Sequence, residues 1–131
     1  MDEKITCLAV DDDPTSLMII SNLVKKDQRL ELIETYTDPI EAAAGIILHK
    51  PAVIFLDVEM PEFTGLEMVE SLVKPPKVIM ITSKKDYREK AFDLEVTDFL
   101  VKPVDPTRFT EALDKTINAV KNDGLTINVD E

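Results

Sequence analysis

Three carboxylates, two hydroxyls and an ammonium stand where short apolar runs end. Asp11 and Asp12 follow ITCLAV, Asp57 follows AVIFL, Thr82 and Ser83 close the run containing VIMI, and Lys102-Pro103 follows DFLV. These ends are distant in sequence, so any shared site depends on the fold. If they meet, the chemistry is narrow. Three carboxylates about 5 Å apart repel one another by roughly 3 kcal/mol per pair at an effective dielectric near 20. Lys102 alone is too little counter-charge. Oxygen donors without His or Cys suit magnesium, which keeps several waters and accepts phosphate oxygens. The single histidine, His49, ends a helical stretch before Pro51 and reads as a surface residue rather than a ligand.

The elements that must position these groups alternate in type. Ile5 to Val10 reads as a strand, and Asp13-Pro14 opens a helix carrying Leu17, Ile20 and Val24 at helical spacing. Leu30 to Tyr36 is a weaker strand. Asp38 caps the next helix with Glu41 as its capping-box partner, and Ile40, Ala43, Ala44 and Ile47 are its expected apolar face. Ala52 to Leu56 is apolar throughout, as expected of a strand covered on both faces. Pro61 and Gly65 bracket a loop before a short helix over Leu66 to Val73. A strand over Val78 to Ile81, a helix over Tyr87 to Leu94 and a strand over Thr97 to Val101 follow. The last helix starts at Asp105-Pro106, carries Phe109, Leu113, Ile117 and Val120 inward, and is expected to break at Asp123-Gly124. This alternation predicts an α/β fold, a doubly wound five-stranded parallel sheet of order 2-1-3-4-5 with five helices. All strand ends then lie on one edge, and the first and third strands are neighbours at the topological switch point.

Composition narrows the function. The chain has 131 residues, suited to one domain, and 44% are hydrophobic. With 26 acidic against 15 basic residues the net charge is −11, which repels nucleic acid and anionic lipid. Cys7 is the only cysteine, so no disulfide forms within the chain, and its apolar run predicts a buried, inert thiol. Met1 to Lys4 is charged and lacks a secretory signal's apolar core, and no run approaches the roughly 20 residues of a membrane span. The expected location is the cytoplasm.

AVDDDP, FLDVEMPEFTGLE, VIMITS and DFLVKPVDP resemble, in order, the blocks of bacterial two-component response-regulator receiver domains. The resemblance covers residues 4 to 122 and implies a flavodoxin-like receiver fold over 1–122, with 123–131 as linker or tail. It implies that Asp57 accepts a phosphoryl group from a sensor histidine kinase. Asp12 then matches a magnesium ligand, and Asp11 its partner, acting directly or through water. Glu59 matches the position whose backbone carbonyl ligates the metal, while its side chain adjusts access of water to the phosphoryl group. Thr82 matches the hydroxyl that bonds a phosphoryl oxygen, Ser83 the small residue beside it, and Lys102 the ammonium that pairs with those oxygens. A cis peptide is usual at Lys102-Pro103. Phe99 matches the aromatic switch residue, here without a phenolic hydroxyl, and Lys84 a variable position bordering the site.

The stretch AFDLEVTDFLVKPVD is similar to receivers with LytTR-type output domains, so DNA contact would fall to an output domain beyond these residues. Phosphorylation would change the face of the fourth helix, fifth strand and fifth helix. Its mixed charges (Lys84, Lys85, Asp86, Arg88, Glu89, Lys90, Asp105 and Arg108) offer pairing across a two-fold homodimer. Such a domain signals rather than turning over a substrate, and catalyses only its own phosphotransfer and dephosphorylation. Alternatives are a degenerate receiver acting as a plain binding module, an aspartate-nucleophile phosphatase suggested by Asp57-Val58-Glu59, and a flavin-binding flavodoxin-like protein. The phosphatase motif belongs on a first strand and lies here on the third. AVDDDP lacks the hydroxyls a flavin phosphate needs.

Overall fold

A computed structural model of the chain describes residues 4–60 and 64–130. Pro61, expected to bracket the loop before the third helix, lies outside them, as do residues 1–3 and 131. Five strands, β1 (Ile5–Val10), β2 (Leu30–Tyr36), β3 (Val53–Leu56), β4 (Lys77–Thr82) and β5 (Asp98–Val101), alternate with α1 (Pro14–Lys25), α2 (Pro39–His49), α3 (Gly65–Ser71), α4 (Arg88–Asp93) and α5 (Pro106–Asp130). The sheet is parallel in the order β2-β1-β3-β4-β5, as the alternation predicts. This is the flavodoxin-like strand order that the resemblance implied.

Successive strand residues face opposite sides, so one sheet supports two cores. Ala9, Phe55, Ile79 and Leu100 pack under α1 and α5, where the Phe55 and Phe109 rings stack with centroids 5.6 Å apart. Val10, Leu56, Met80 and Phe99 pack on the other side with α2, α3 and α4. Cys7 is fully buried, and desolvation together with the nearby Glu31 charge pushes its thiol up to about 12. Among the described residues no helix is long and apolar enough to cross a membrane.

Caps set several boundaries. Asp13 caps α1, accepting from the Thr15 N–H, with Pro14 in the first turn. Asp38 accepts from the Glu41 N–H, but among the described hydrogen bonds Glu41 returns none, so only half of the expected box forms. The complete box is Thr64 with Glu67 at the start of α3, which therefore begins one residue before the expected Leu66. The fourth helix starts as a 3-10 turn, Lys85–Tyr87, without a side-chain cap, and α4 is only six residues long.

Two further expectations fail. The buried face of α2 is Pro39, Ala42, Gly45 and Ile46, whereas Ile40, Ala44 and Ile47 face solvent. Apolar residues occupy most positions of this helix, so periodicity did not choose a face. Tyr36 decides it, because its ring lies where a β-carbon at residue 45 would sit, and only the glycine lets β2 and α2 close. The last helix also continues through Gly124 to Asp130 instead of breaking at Asp123. One glycine costs a helix about 1 kcal/mol, and no proline follows to stop it.

One ion pair fastens β5 to α5. Arg108 donates to both Asp98 oxygens, at 2.7 and 3.0 Å, and the Phe99 N–H donates to the same carboxylate at 2.8 Å. Burial alone would raise the Asp98 pKa, but these bonds outweigh it and hold the carboxyl below its ordinary value. The pair therefore stabilises the fold above the ordinary carboxylate pKa and is lost as pH falls through the lowered one. Arg108→Ala should cost about 2 kcal/mol at pH 7, less than a fully buried pair because water reaches the guanidinium. Urea melts should show the gap to wild type closing as the pH falls below about 4.

Candidate functional site

Backbone hydrogen bonds at the C-terminal edge of the sheet draw the reactive groups together. The Asp57 N–H donates to the Val10 carbonyl at 3.0 Å, setting the end of β3 beside the end of β1. The Lys102 N–H donates to the Thr82 carbonyl at 2.8 Å, joining the ends of β5 and β4. The peptide at Lys102-Pro103 is cis, as the resemblance implied. Gly65 donates its N–H to the Val58 carbonyl at 2.9 Å, and a β-carbon there would overlap the Asp57 carbonyl oxygen. The return of the chain after β3 thus needs a glycine at 65, a requirement not evident from its place between a loop and a helix.

Asp11, Asp12 and Asp57 each bring a carboxylate oxygen within 4.8 Å of the other two. Asp11 and Asp57 are buried and Asp12 is exposed. Asp11 accepts from the Asp13 N–H at 2.9 Å and from the Lys102 ammonium at 2.7 Å. Lys102 lies 3.8 Å from Asp57, so one ammonium is shared by two carboxylates and leans toward Asp11. Burial, with Asp11 close by, pushes the Asp57 carboxyl up to about 7, although Lys102 and the Glu59 N–H pull the other way. The donor set fits a hard divalent cation: three carboxylates, no His or Cys, and too little positive charge. His49 is half-buried on the last turn of α2.

A second set of contacts closes the other side. Thr82 is fully buried and lies 3.5 Å from a Glu59 carboxylate oxygen, which accepts from the Ser83 hydroxyl at 3.1 Å. Lys84 pairs with the other Glu59 oxygen at 3.3 Å. Glu59 was singled out for its backbone, and its side-chain clamp on three residues of the β4 end was not foreseen. Phe99 is buried at 1% exposure in β5, and the Arg88 guanidinium sits 5.5 Å from its ring centroid. Two charges expected to be free for pairing between copies are engaged within the chain, Lys84 by Glu59 and Arg108 by Asp98.

The family model described as response regulator receiver domain matches residues 7–114. An uncharacterized response regulatory protein of Shewanella oneidensis is 34% identical over 121 residues, 91% of this chain and 50% of its own length. The transcriptional regulatory protein BtsR of Salmonella typhimurium is 31% identical over 121 residues, 91% of this chain and 49% of its own. The chain thus spans about half the length of the curated relatives it matches. Among solved structures, the response regulator domain of Thermotoga maritima CheB aligns with a TM-score of 0.77 at 27% identity, covering 91% of this chain and 98% of that one. The response regulatory domain of mrkE from Klebsiella pneumoniae reaches 0.82 at 23% identity, covering 89% and 98%, a likeness of fold alone.

The crowded carboxylates predict a pH-dependent penalty. An unfolded Asp titrates near 4, and raising that value in the folded chain makes stability fall as pH rises from about 4 to about 7. Asp57→Asn removes the penalty. At pH 8 without divalent cations it should be more stable than wild type by on the order of 1 kcal/mol, allowing for solvent screening. Denaturant melts should show that gap closing at pH 4, and narrowing at pH 8 when millimolar magnesium is added.

Proposed function

The chain belongs to the response regulator receiver domain family, and from that premise we propose that it is a phosphoacceptor switch. Asp57 takes a phosphoryl group from a sensor histidine kinase. The supporting observation is one buried carboxylate, Asp57, within 4.8 Å of Asp11 and Asp12 and 3.8 Å from the Lys102 ammonium. An Asp57 oxygen forms a bond to phosphorus while the bond from phosphorus to the donor imidazole nitrogen breaks, the nitrogen keeping the electron pair. Magnesium held by Asp11, Asp12, Asp57 and the Glu59 carbonyl would supply neutralising charge and polarise the phosphoryl oxygens. Lys102 pairs with those oxygens after leaving Asp11, and Thr82 donates its hydroxyl to one of them.

The new charge biases a two-state equilibrium through Thr82 and Phe99. Reversing a 1:99 population needs about 5.5 kcal/mol of differential stabilisation. Phe99 starts from its buried position under Arg88, and the face of α4, β5 and α5 is where a homodimer or an output module responds. On the stretch AFDLEVTDFLVKPVD we place the chain among receivers with LytTR-type DNA-binding output, acting in the cytoplasm, with 1–122 as receiver and 123–131 as linker or tail. The domain signals and catalyses only its own phosphotransfer and dephosphorylation.

Incubation with acetyl phosphate and magnesium should add one phosphoryl group to wild type and none to Asp57→Asn, read by intact mass. Equal modification of both would overturn the assignment to Asp57, and modification of neither would leave a plain binding module as the better reading. The clamp gives a further outcome. Glu59 occupies the Thr82 and Ser83 hydroxyls and places a negative charge beside the incoming phosphate. Glu59→Ala should therefore take up phosphoryl about 3–10-fold faster, consistent with removing roughly 1 kcal/mol of repulsion. A stopped-flow or quenched time course on the two proteins checks it.

A further inference from the structure

The sheet edge opposite the carboxylates carries a groove of about 730 Å³ between the end of α2, the segment joining α3 to β4, and α5. Ile46, Ile47, Leu72, Val73, Pro75 and Val120 give it an apolar lining. Isolated exposed aliphatic residues are ordinary, but here Val73, 95% exposed, and Ile47, 72% exposed, border one concavity. Lys50, Lys74 and Lys77 line the same opening, and its one acid, Asp123, is paired with Lys77 at 2.7 Å. Lys50 and Lys74 are exposed and take part in no ion pair among the described residues. In a chain of net charge −11 this is a local reversal of sign. Lys50 also adopts the left-handed conformation (φ 47°, ψ 57°) that ends α2, a position where glycine is the commoner residue.

We infer that this groove docks an acidic amphipathic helix of a partner protein, its apolar side chains in the groove and its carboxylates against Lys50 and Lys74. Helix-in-groove recognition needs an apolar trough with anchors at helical spacing and a rim of opposite charge. A second copy docking through the same patch would set lysines against lysines. An anionic bilayer would set a broad negative surface against much of the acidic chain, whereas a single helix meets only the lysine rim. The carboxylate cluster does not cancel the lysine rim, because a six-residue strand separates the two edges by about 20 Å, more than two Debye lengths at 0.15 M salt. The inference is independent of phosphorylation at Asp57.

The probe is a fluorescein-labelled peptide of about 14 residues with leucines at helical spacing and glutamates elsewhere. One control replaces glutamate by lysine and another replaces leucine by serine. Anisotropy should saturate with a dissociation constant on the order of 10 μM, and amide shifts should centre on Ile47, Lys50, Val73 and Lys74. Lys50→Glu with Lys74→Glu should weaken binding about tenfold or more, roughly 1.4 kcal/mol, and Val73→Ser severalfold. Circular dichroism and acetyl phosphate uptake of these variants should match wild type, since the substituted side chains are exposed and far from the carboxylates. Absence of saturation up to about 1 mM peptide (affinity weaker than about 4 kcal/mol), shifts elsewhere, unaltered binding by the variants, or equal binding of the lysine peptide would overturn the inference. So would variant-sensitive binding to phosphatidylserine vesicles without peptide binding, or self-association through these residues.

Discussion

The site rests on a repulsion that the fold enforces. Asp11, Asp12 and Asp57 hold three carboxylates within 4.8 Å of one another, and among the described residues Lys102 is the only ammonium paired with them. At roughly 3 kcal/mol per pair, this arrangement would fly apart in a flexible chain. It persists because the neighbouring residues are committed to the sheet. Val53, Ile54, Phe55 and Leu56 are all buried, and burial of such side chains contributes about 2 kcal/mol each. Moving Asp57 away would also break its N–H bond to Val10. The backbone therefore keeps the carboxylates close, and Lys102 alone does not balance their charge.

That constraint reaches outward through a few polar contacts. Glu59 links the loop after β3 to Thr82, Ser83 and Lys84 at the end of β4. β4 is paired with β5, where Phe99 lies between Arg88 of α4 and the Asp98 carboxylate that Arg108 of α5 holds. A change in what Thr82 bonds is thus connected, by packed or hydrogen-bonded neighbours, to both helices flanking β5. Each link is a discrete contact with its own partner, which suits two alternative arrangements better than a gradual deformation.

The two edges of the sheet differ in charge and chemistry. The C-terminal edge is acidic, polar and tightly hydrogen-bonded. The N-terminal edge is apolar with lysines around it and opens onto a groove that α5 helps to form. α5 begins shortly after Lys102-Pro103 at the acidic edge and borders that groove through Val120 and Asp123, so one helix runs between the two regions.

Much of this was legible in the sequence, for physical reasons. Buried parallel strands have to be apolar throughout, so AVIFL and VIMI marked themselves, and their C-terminal ends marked Asp57 and Thr82. Alternation of strands with helices then placed distant residues on one edge, which is why the Asp11, Asp12, Asp57 and Lys102 constellation could be read before any coordinates. Other features depended on tertiary contact. α2 is apolar nearly all round, and only the Tyr36 ring against Gly45 decided which side faces the sheet. Gly124 in a polar stretch looked like a terminus, yet an isolated glycine weakens a helix without ending it. The Glu59 clamp, the Arg88 guanidinium over Phe99 and the Arg108–Asp98 pair join exposed-looking charges to partners on other elements or beyond a turn. Local sequence sets which charges exist, and only packing decides which of them meet.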